Sequence, residues 1–209
     1  MKTIDTNNKM LGLSKNVVLG DDGYIYKYFK RNPLLSMEEQ RHLLDVKKQY
    51  FWKYIPETFL IESEDGTYYI KQKFIDGDLL RDVDVYNLSP VTQKQLIDLL
   101  QSYISYGIEE NVFLDVFGFQ NYQPRNKLTH QLYWLLNVRK SYLWSSNIIV
   151  DKQGDVFMVD VCETGRSRLH LYSRIKRKIN QLFMENNIKK LEQRIVQKEV
   201  SGKMPCKTD

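Results

Sequence analysis

Three stretches of this 209-residue chain read as strand, tight turn, strand, and they constrain the fold more than any other feature. KNVVLGDDGYIYKYF (15–29) turns on Asp22-Gly23, and TFLIESEDGTYYIKQKFI (58–75) turns on Asp65-Gly66. SNIIVDKQGDVFMVDV (146–161) turns between Asp151 and Gly154. In each, β-branched and aromatic residues flank a glycine able to take the left-handed backbone that a tight hairpin needs. Helical patterns fill the intervals. Ser36 with Glu39 makes a capping box ahead of MEEQRHLLDVKKQYF, which predicts a helix to about residue 51. Ser89-Pro90 supplies an N-cap and a first-turn proline for a second helix. Its Leu96, Leu99, Leu100, Tyr103 and Ile104 form one apolar stripe, and Gly107 is expected to end it. After the third hairpin, Ile175, Ile179, Leu182 and Phe183, then Ile188, Leu191 and Ile195, predict two amphipathic helices broken at Asn186-Asn187. Strands gather toward the front and helices toward the back, an α+β layout of two lobes.

Composition agrees with a globular protein: 42% apolar and 27% charged residues, in a chain long enough for one large domain or two lobes sharing a cleft. The 14 tyrosines are read as half-buried packing rather than a base-stacking surface. Cys162 and Cys206 lack metal or redox spacing, so a reducing compartment is expected. MKTIDTNNKM lacks the apolar core expected of a signal peptide, and no run approaches the ~18 apolar residues of a membrane span. The expected location is cytoplasmic, with delivery by a dedicated secretion system left open. The net charge of +5 is uneven, because residues 166–207 hold 12 Lys/Arg against 3 acidic residues. That balance suits either a solvated helix face or contact with an anionic partner, nucleic acid included.

The third hairpin begins with Asn147 and ends with Asp160, polar residues bracketing an apolar unit. Phosphoryl transfer from ATP needs a strand lysine at the phosphates, a carboxylate to orient it, a base, and hard oxygen ligands for Mg²⁺. With these residues in this order, the chain resembles the protein-kinase-like superfamily, including its small bacterial and aminoglycoside-phosphotransferase-like members. The resemblance covers roughly residues 10–165 and rests on order and spacing. It implies a minimal bilobal kinase-like fold, with an antiparallel-sheet N-lobe at 1–75 and a reduced helical C-lobe at 76–209. It implies ATP and Mg²⁺ as cofactors, and a protein or small-molecule hydroxyl as phosphate acceptor. Only 49 residues follow Asp160, which suits a compact bacterial or phage-type kinase better than a eukaryotic signalling one.

By the same resemblance, Asn147 and Asp160 are the metal ligands, with Val161 and Cys162 replacing the Phe-Gly that usually follows the aspartate. Lys27 in YIYKYFK is the phosphate-binding lysine, with Lys30 as rival. Glu39 is its orienting carboxylate, with Glu38 and Asp45 as alternatives. Lys73, Phe74 and Ile75 form the inter-lobe hinge that offers backbone groups to adenine. The family's catalytic aspartate lies five residues before the metal asparagine, where this chain has Tyr142, a poor base near neutral pH. Read strictly, that makes a catalytically inactive, partner-binding pseudokinase. A second alignment places Asp115 at the catalytic position, with Phe113 in place of histidine and a roughly 25-residue insertion before Asn147. Asn121 then competes with Asn147 as metal ligand. Gly12 and Ser14 offer a weak phosphate loop. His42, His130 and His170 have no metal-ligand spacing.

Overall fold

The computed structural model describes residues 2–3, 15–29, 35–110, 143, 145–160 and 171–201. Gly12, Ser14, Lys30, Phe113, Asp115, Asn121, Tyr142, His130, Val161, His170 and both cysteines lie outside the described residues. All three hairpins form. A five-stranded antiparallel sheet contains β1 (Lys2–Thr3), β2 (Lys15–Leu19), β3 (Tyr24–Phe29), β4 (Thr58–Glu62) and β5 (Tyr68–Lys73). Its order is β1-β2-β3-β5-β4, with Lys27 facing Val17 on one side and Ile70 on the other. Gly23 and Gly66 take φ of 80° and 76°, the left-handed backbone that their turns demand.

Strand periodicity sorts the residues of this sheet. Lys27 and, on β5, Tyr68, Ile70 and Gln72 are buried on the inner face. Tyr24, Tyr26, Tyr28 and Tyr69 lie half-buried on the outer face, with the Tyr28 and Tyr69 ring centroids 5.2 Å apart. Tyr26 and Tyr28 thus pack on Tyr69 and Tyr24 on Phe59, the half-buried packing expected of them. Helix α1 (Met37–Phe51) starts at the expected capping box and buries Gln40, Leu44, Lys47 and Phe51.

A second, three-stranded antiparallel sheet is built from β6 (Gly77–Leu79), β7 (Ile148–Asp151) and β8 (Val156–Met158), in that order. The strands β1 and β6 are too short to show in the sequence pattern. Helix α2 (Pro90–Glu109) has the expected Ser89 cap and buried stripe, with Leu96, Leu99, Leu100, Tyr103 and Tyr106 inside. Gly107 does not end it; the C-cap is Glu110, whose N–H bonds back to Tyr106.

Helix α3 (Leu171–Ser201) is one continuous helix of 31 residues, not two broken at Asn186-Asn187. Asn187 is buried, and its amide donates to the Phe183 carbonyl four residues back at 2.9 Å. Asparagine costs at most about 0.7 kcal/mol of helix propensity relative to alanine. Burial of Phe183, Met184, Ile188, Leu191 and Ile195 outweighs that penalty. Lys198 Nζ also donates to the Leu88 carbonyl at 2.7 Å, tying the end of α3 to the approach to α2.

Both sheets share one apolar core, in which Leu80, Leu96, Leu100, Ile148 and Leu191 are fully buried with Phe51 and Ile70 beside them. The architecture is α+β, with antiparallel sheets and, among the described residues, three α-helices. Among the described residues no helix is long and apolar enough to cross a membrane.

Candidate active site

The β7–β8 hairpin is held at its tip, its flanks and its open end. At the tip, Asp151 Oδ1 accepts from the Gln153 and Asp155 amides at 2.9 and 2.8 Å, and Gly154 takes φ of 90°. Gln95 of α2 accepts from the Val156 amide at 2.9 Å and donates to Asp155 at 2.7 Å. The Met158 amide donates to the Tyr54 carbonyl at 2.6 Å. Tyr54 is anchored in turn by its hydroxyl, which donates to Asp98 of α2 at 2.6 Å. Burial, reinforced by that carboxylate, pushes the Tyr54 phenol well above the ordinary tyrosine range. At the open end, the Val159 amide donates to the Asn147 carbonyl at 2.8 Å. The Asn147 amide donates to the buried Ser145 hydroxyl at 3.0 Å, and the Ser145 carbonyl accepts from the Arg81 amide at 3.1 Å. Residue 147 is thereby clamped beside residues 159 and 160.

Lys27 reaches this same end. It is 7% exposed, and its ammonium donates to Gln72 Oε1 at 2.8 Å and to the Val159 carbonyl. The second bond spans 132 residues of sequence and joins the inner face of the first sheet to the residue preceding Asp160. A buried ammonium is costly unless it is hydrogen-bonded, so these partners make the position tenable. The Lys27 ammonium and the Asn147 carbonyl are thus both bonded to Val159, the residue before Asp160.

The other predicted residues fall differently. Glu39 is exposed, and its carboxylate accepts from the Ser36 amide at 2.9 Å and the Ser36 hydroxyl at 3.1 Å, completing the capping box. Glu38 and Asp45 are exposed as well; the face that α1 buries carries Gln40 and Lys47. In the expected hinge, the Lys73 amide donates to the Glu57 carbonyl at 2.8 Å and the Phe74 amide to the Gly23 carbonyl at 3.0 Å. Those two N–H groups are thus engaged within the protein. Ile75 is half-buried. The adjoining loop is tied to the hairpin tip by an ion pair between Asp76 and Lys152. Asp115 lies outside the described residues.

Gln72 and Thr58 are polar residues that the sequence reading did not single out. Gln72 Nε2 donates to Thr58 Oγ1 at 2.9 Å, and Thr58 Oγ1 donates to the Pro56 carbonyl at 2.6 Å. The signal was present in YYIKQKF, where strand alternation puts Gln72 on the same buried face as Tyr68 and Ile70.

Asn147 and Asp160 offer hard oxygens, and among the described residues no group of three or more His, Cys, Asp or Glu could hold a metal by itself. One or two protein oxygens completed by phosphate and water is the usual way Mg²⁺ is bound at nucleotides.

No protein-family model matches the chain, and no curated protein matches it. Among solved structures, the chain is similar to a point mutant of an aminoglycoside 2'-phosphotransferase-IIIa in complex with GDP. The identity is 13% and the TM-score 0.30, over 62% of this chain and 42% of the other. The chain thus matches less than half the length of that enzyme.

Proposed function

We propose that this chain is an ATP- and Mg²⁺-dependent phosphotransferase of minimal kinase-like fold, acting on a hydroxyl of a protein or a small molecule. The observation that carries the reading is the bond from the buried Lys27 ammonium to the Val159 carbonyl, next to Asp160, while Val159 is bonded to Asn147. These contacts bring the Lys27 ammonium to the hairpin whose ends are Asn147 and Asp160, which together would supply a cation, an amide oxygen and a carboxylate. That is the set of charges on which phosphoryl transfer depends, because its catalysis is mostly positioning and electrostatics.

In this reading Lys27 binds nucleotide phosphates, Asn147 and Asp160 hold the metal, and Asp115 takes the proton from the acceptor hydroxyl. Mg²⁺, when bound, neutralises charge on the transferring phosphoryl group. Adenine lies against the backbone of residues 73–75, through groups other than the engaged N–H of Lys73 and Phe74.

Thermal denaturation of the purified chain with ATP or GTP, each with and without Mg²⁺, tests the reading. A nucleotide at 100 times its Kd raises stability by about 2.7 kcal/mol, a shift of several degrees. The shift should vanish in Lys27→Met and Asp160→Ala. Phosphoryl transfer or nucleotide hydrolysis should vanish in Asp115→Asn. No shift with either nucleotide sinks the proposal. A shift without any turnover favours the inactive, partner-binding form instead.

A further inference from the structure

We propose that Gln72 is the positioning residue for Lys27, and that Thr58 sets which end of the Gln72 amide faces the ammonium. The inference rests on the phosphotransferase reading for its functional meaning, though not for its geometry. Gln72 is 1% exposed and Thr58 5%, so neither side chain can trade its partners for bulk water. An ammonium only donates, so the side of Gln72 facing Lys27 has to be the carbonyl, as observed at 2.8 Å. The amide nitrogen then needs an acceptor, and Thr58 Oγ1 provides one at 2.9 Å. Thr58 can accept because its own hydrogen goes to the Pro56 carbonyl at 2.6 Å.

Every bond in this buried chain therefore runs the same way, from ammonium to amide to hydroxyl to backbone carbonyl. Aligned bonds of this kind polarise and strengthen one another. Gln72 sits on β5, beside β3, with Ile25 as its cross-strand partner, so the acceptor belongs to the same rigid sheet as the lysine. Its side-chain carbonyl fixes the direction of the ammonium. Lys27 is thus held toward Val159 by the sheet itself, while Glu39 caps the start of α1.

The test compares wild type with Gln72→Leu, Gln72→Glu and Thr58→Val, in the full chain. The first readout is the rate at which acetic anhydride labels Lys27, measured by peptide mass spectrometry relative to the exposed Lys73 of the same molecules. Loss of a hydrogen bond to a charged group releases the ammonium, so labelling of Lys27 should rise about tenfold in Gln72→Leu. It should rise about twofold to threefold in Thr58→Val, where the amide loses only its orienting acceptor. Gln72→Glu keeps an acceptor and should label no faster than wild type. The second readout is turnover with ATP and Mg²⁺: kcat should fall about tenfold in Gln72→Leu and largely recover in Gln72→Glu.

A purely packing role predicts otherwise, since leucine fills nearly the same volume and glutamate buries a new charge. Equal Lys27 labelling in wild type, Gln72→Leu and Thr58→Val overturns the proposal. If Gln72→Leu does not fold, Thr58→Val decides alone. If wild type shows neither nucleotide-dependent stabilisation nor turnover, the phosphotransferase reading fails, and labelling still decides whether Gln72 positions Lys27.

Discussion

Replacing Gly77 by alanine should weaken the molecule where the two sheets part, and the cost can be worked out from the contacts. A Cβ on residue 77 would lie 2.2 Å from the Val150 carbonyl oxygen and 2.6 Å from Asp151 Cα, both backbone atoms. Real Cβ contacts essentially never fall under 3.0 Å, so β6 has to move off β7 by about 0.8 Å, the 3.0 Å limit less 2.2 Å. That displacement stretches a ~2.9 Å ladder bond beyond ~3.5 Å, where it no longer counts as a hydrogen bond. The strand is only three residues long, so the whole of it lifts, drawing on Leu80, which is fully buried just after it. Two bonds at ~1 kcal/mol each, plus partial exposure of a leucine at ~1 kcal/mol, oppose a gain of ~0.5–1 kcal/mol from a stiffer unfolded chain. The net loss is about 2 kcal/mol, or a fall in Tm of roughly 4–8 °C for a chain of this size.

Gly66→Ala is the matched control. Its φ of +76° makes alanine strained, yet nothing lies within 4 Å of the added Cβ, so it should lose only about 1 kcal/mol. Urea unfolding of both variants gives the comparison, and amide exchange should quicken in β6 and β7 of Gly77→Ala before it does in β3. A Gly77→Ala variant as stable as Gly66→Ala would refute the reasoning, because the close approach of the strands would then cost nothing.

Leu100, fully buried in the shared core, should lose about 2–5 kcal/mol on truncation to alanine, read from the urea midpoint. Ser36→Ala removes the α1 cap and should cost about 1 kcal/mol by the same measurement, whereas Glu39→Gln keeps both ends of the box and should leave stability and any turnover nearly intact. Asp22 is held near a pKa of about 2, against the ordinary 3.8, chiefly by its hydrogen bond from Lys71 and then by that from Tyr26. A carboxyl depressed in the folded state contributes stability that is complete above about 3.8 and is lost as pH falls through about 2. The difference in urea midpoint between wild type and Asp22→Asn should accordingly be flat above pH 4 and shrink below it; a difference constant down to pH 2 would contradict the Asp22–Lys71 pairing.

Much of the fold was legible in the chain because its signals are local. The turns at Gly23, Gly66 and Gly154, the capping box at Ser36 and the Ser89-Pro90 start depend on a few neighbouring residues, and all formed as read. Local signals also misled where packing outweighed them. Asn187 looked like a helix break, but its burial and its bond to Phe183 keep α3 continuous. Gly107 looked like a stop, but α2 continues to Glu109.

The sequence by itself determined an α+β protein with three hairpins and a capped helix, and the order of Lys27, Asn147 and Asp160 along the chain. Only the tertiary structure decided what those residues meet. Lys27 reaches Val159 across 132 residues, a contact that no local pattern encodes because the packing of the first sheet against the third hairpin creates it. The same packing turned the helix face with Glu39 outward and buried Gln40 and Lys47 instead. A capping carboxylate must stay beside the first turn it caps, and here that turn presents it to water.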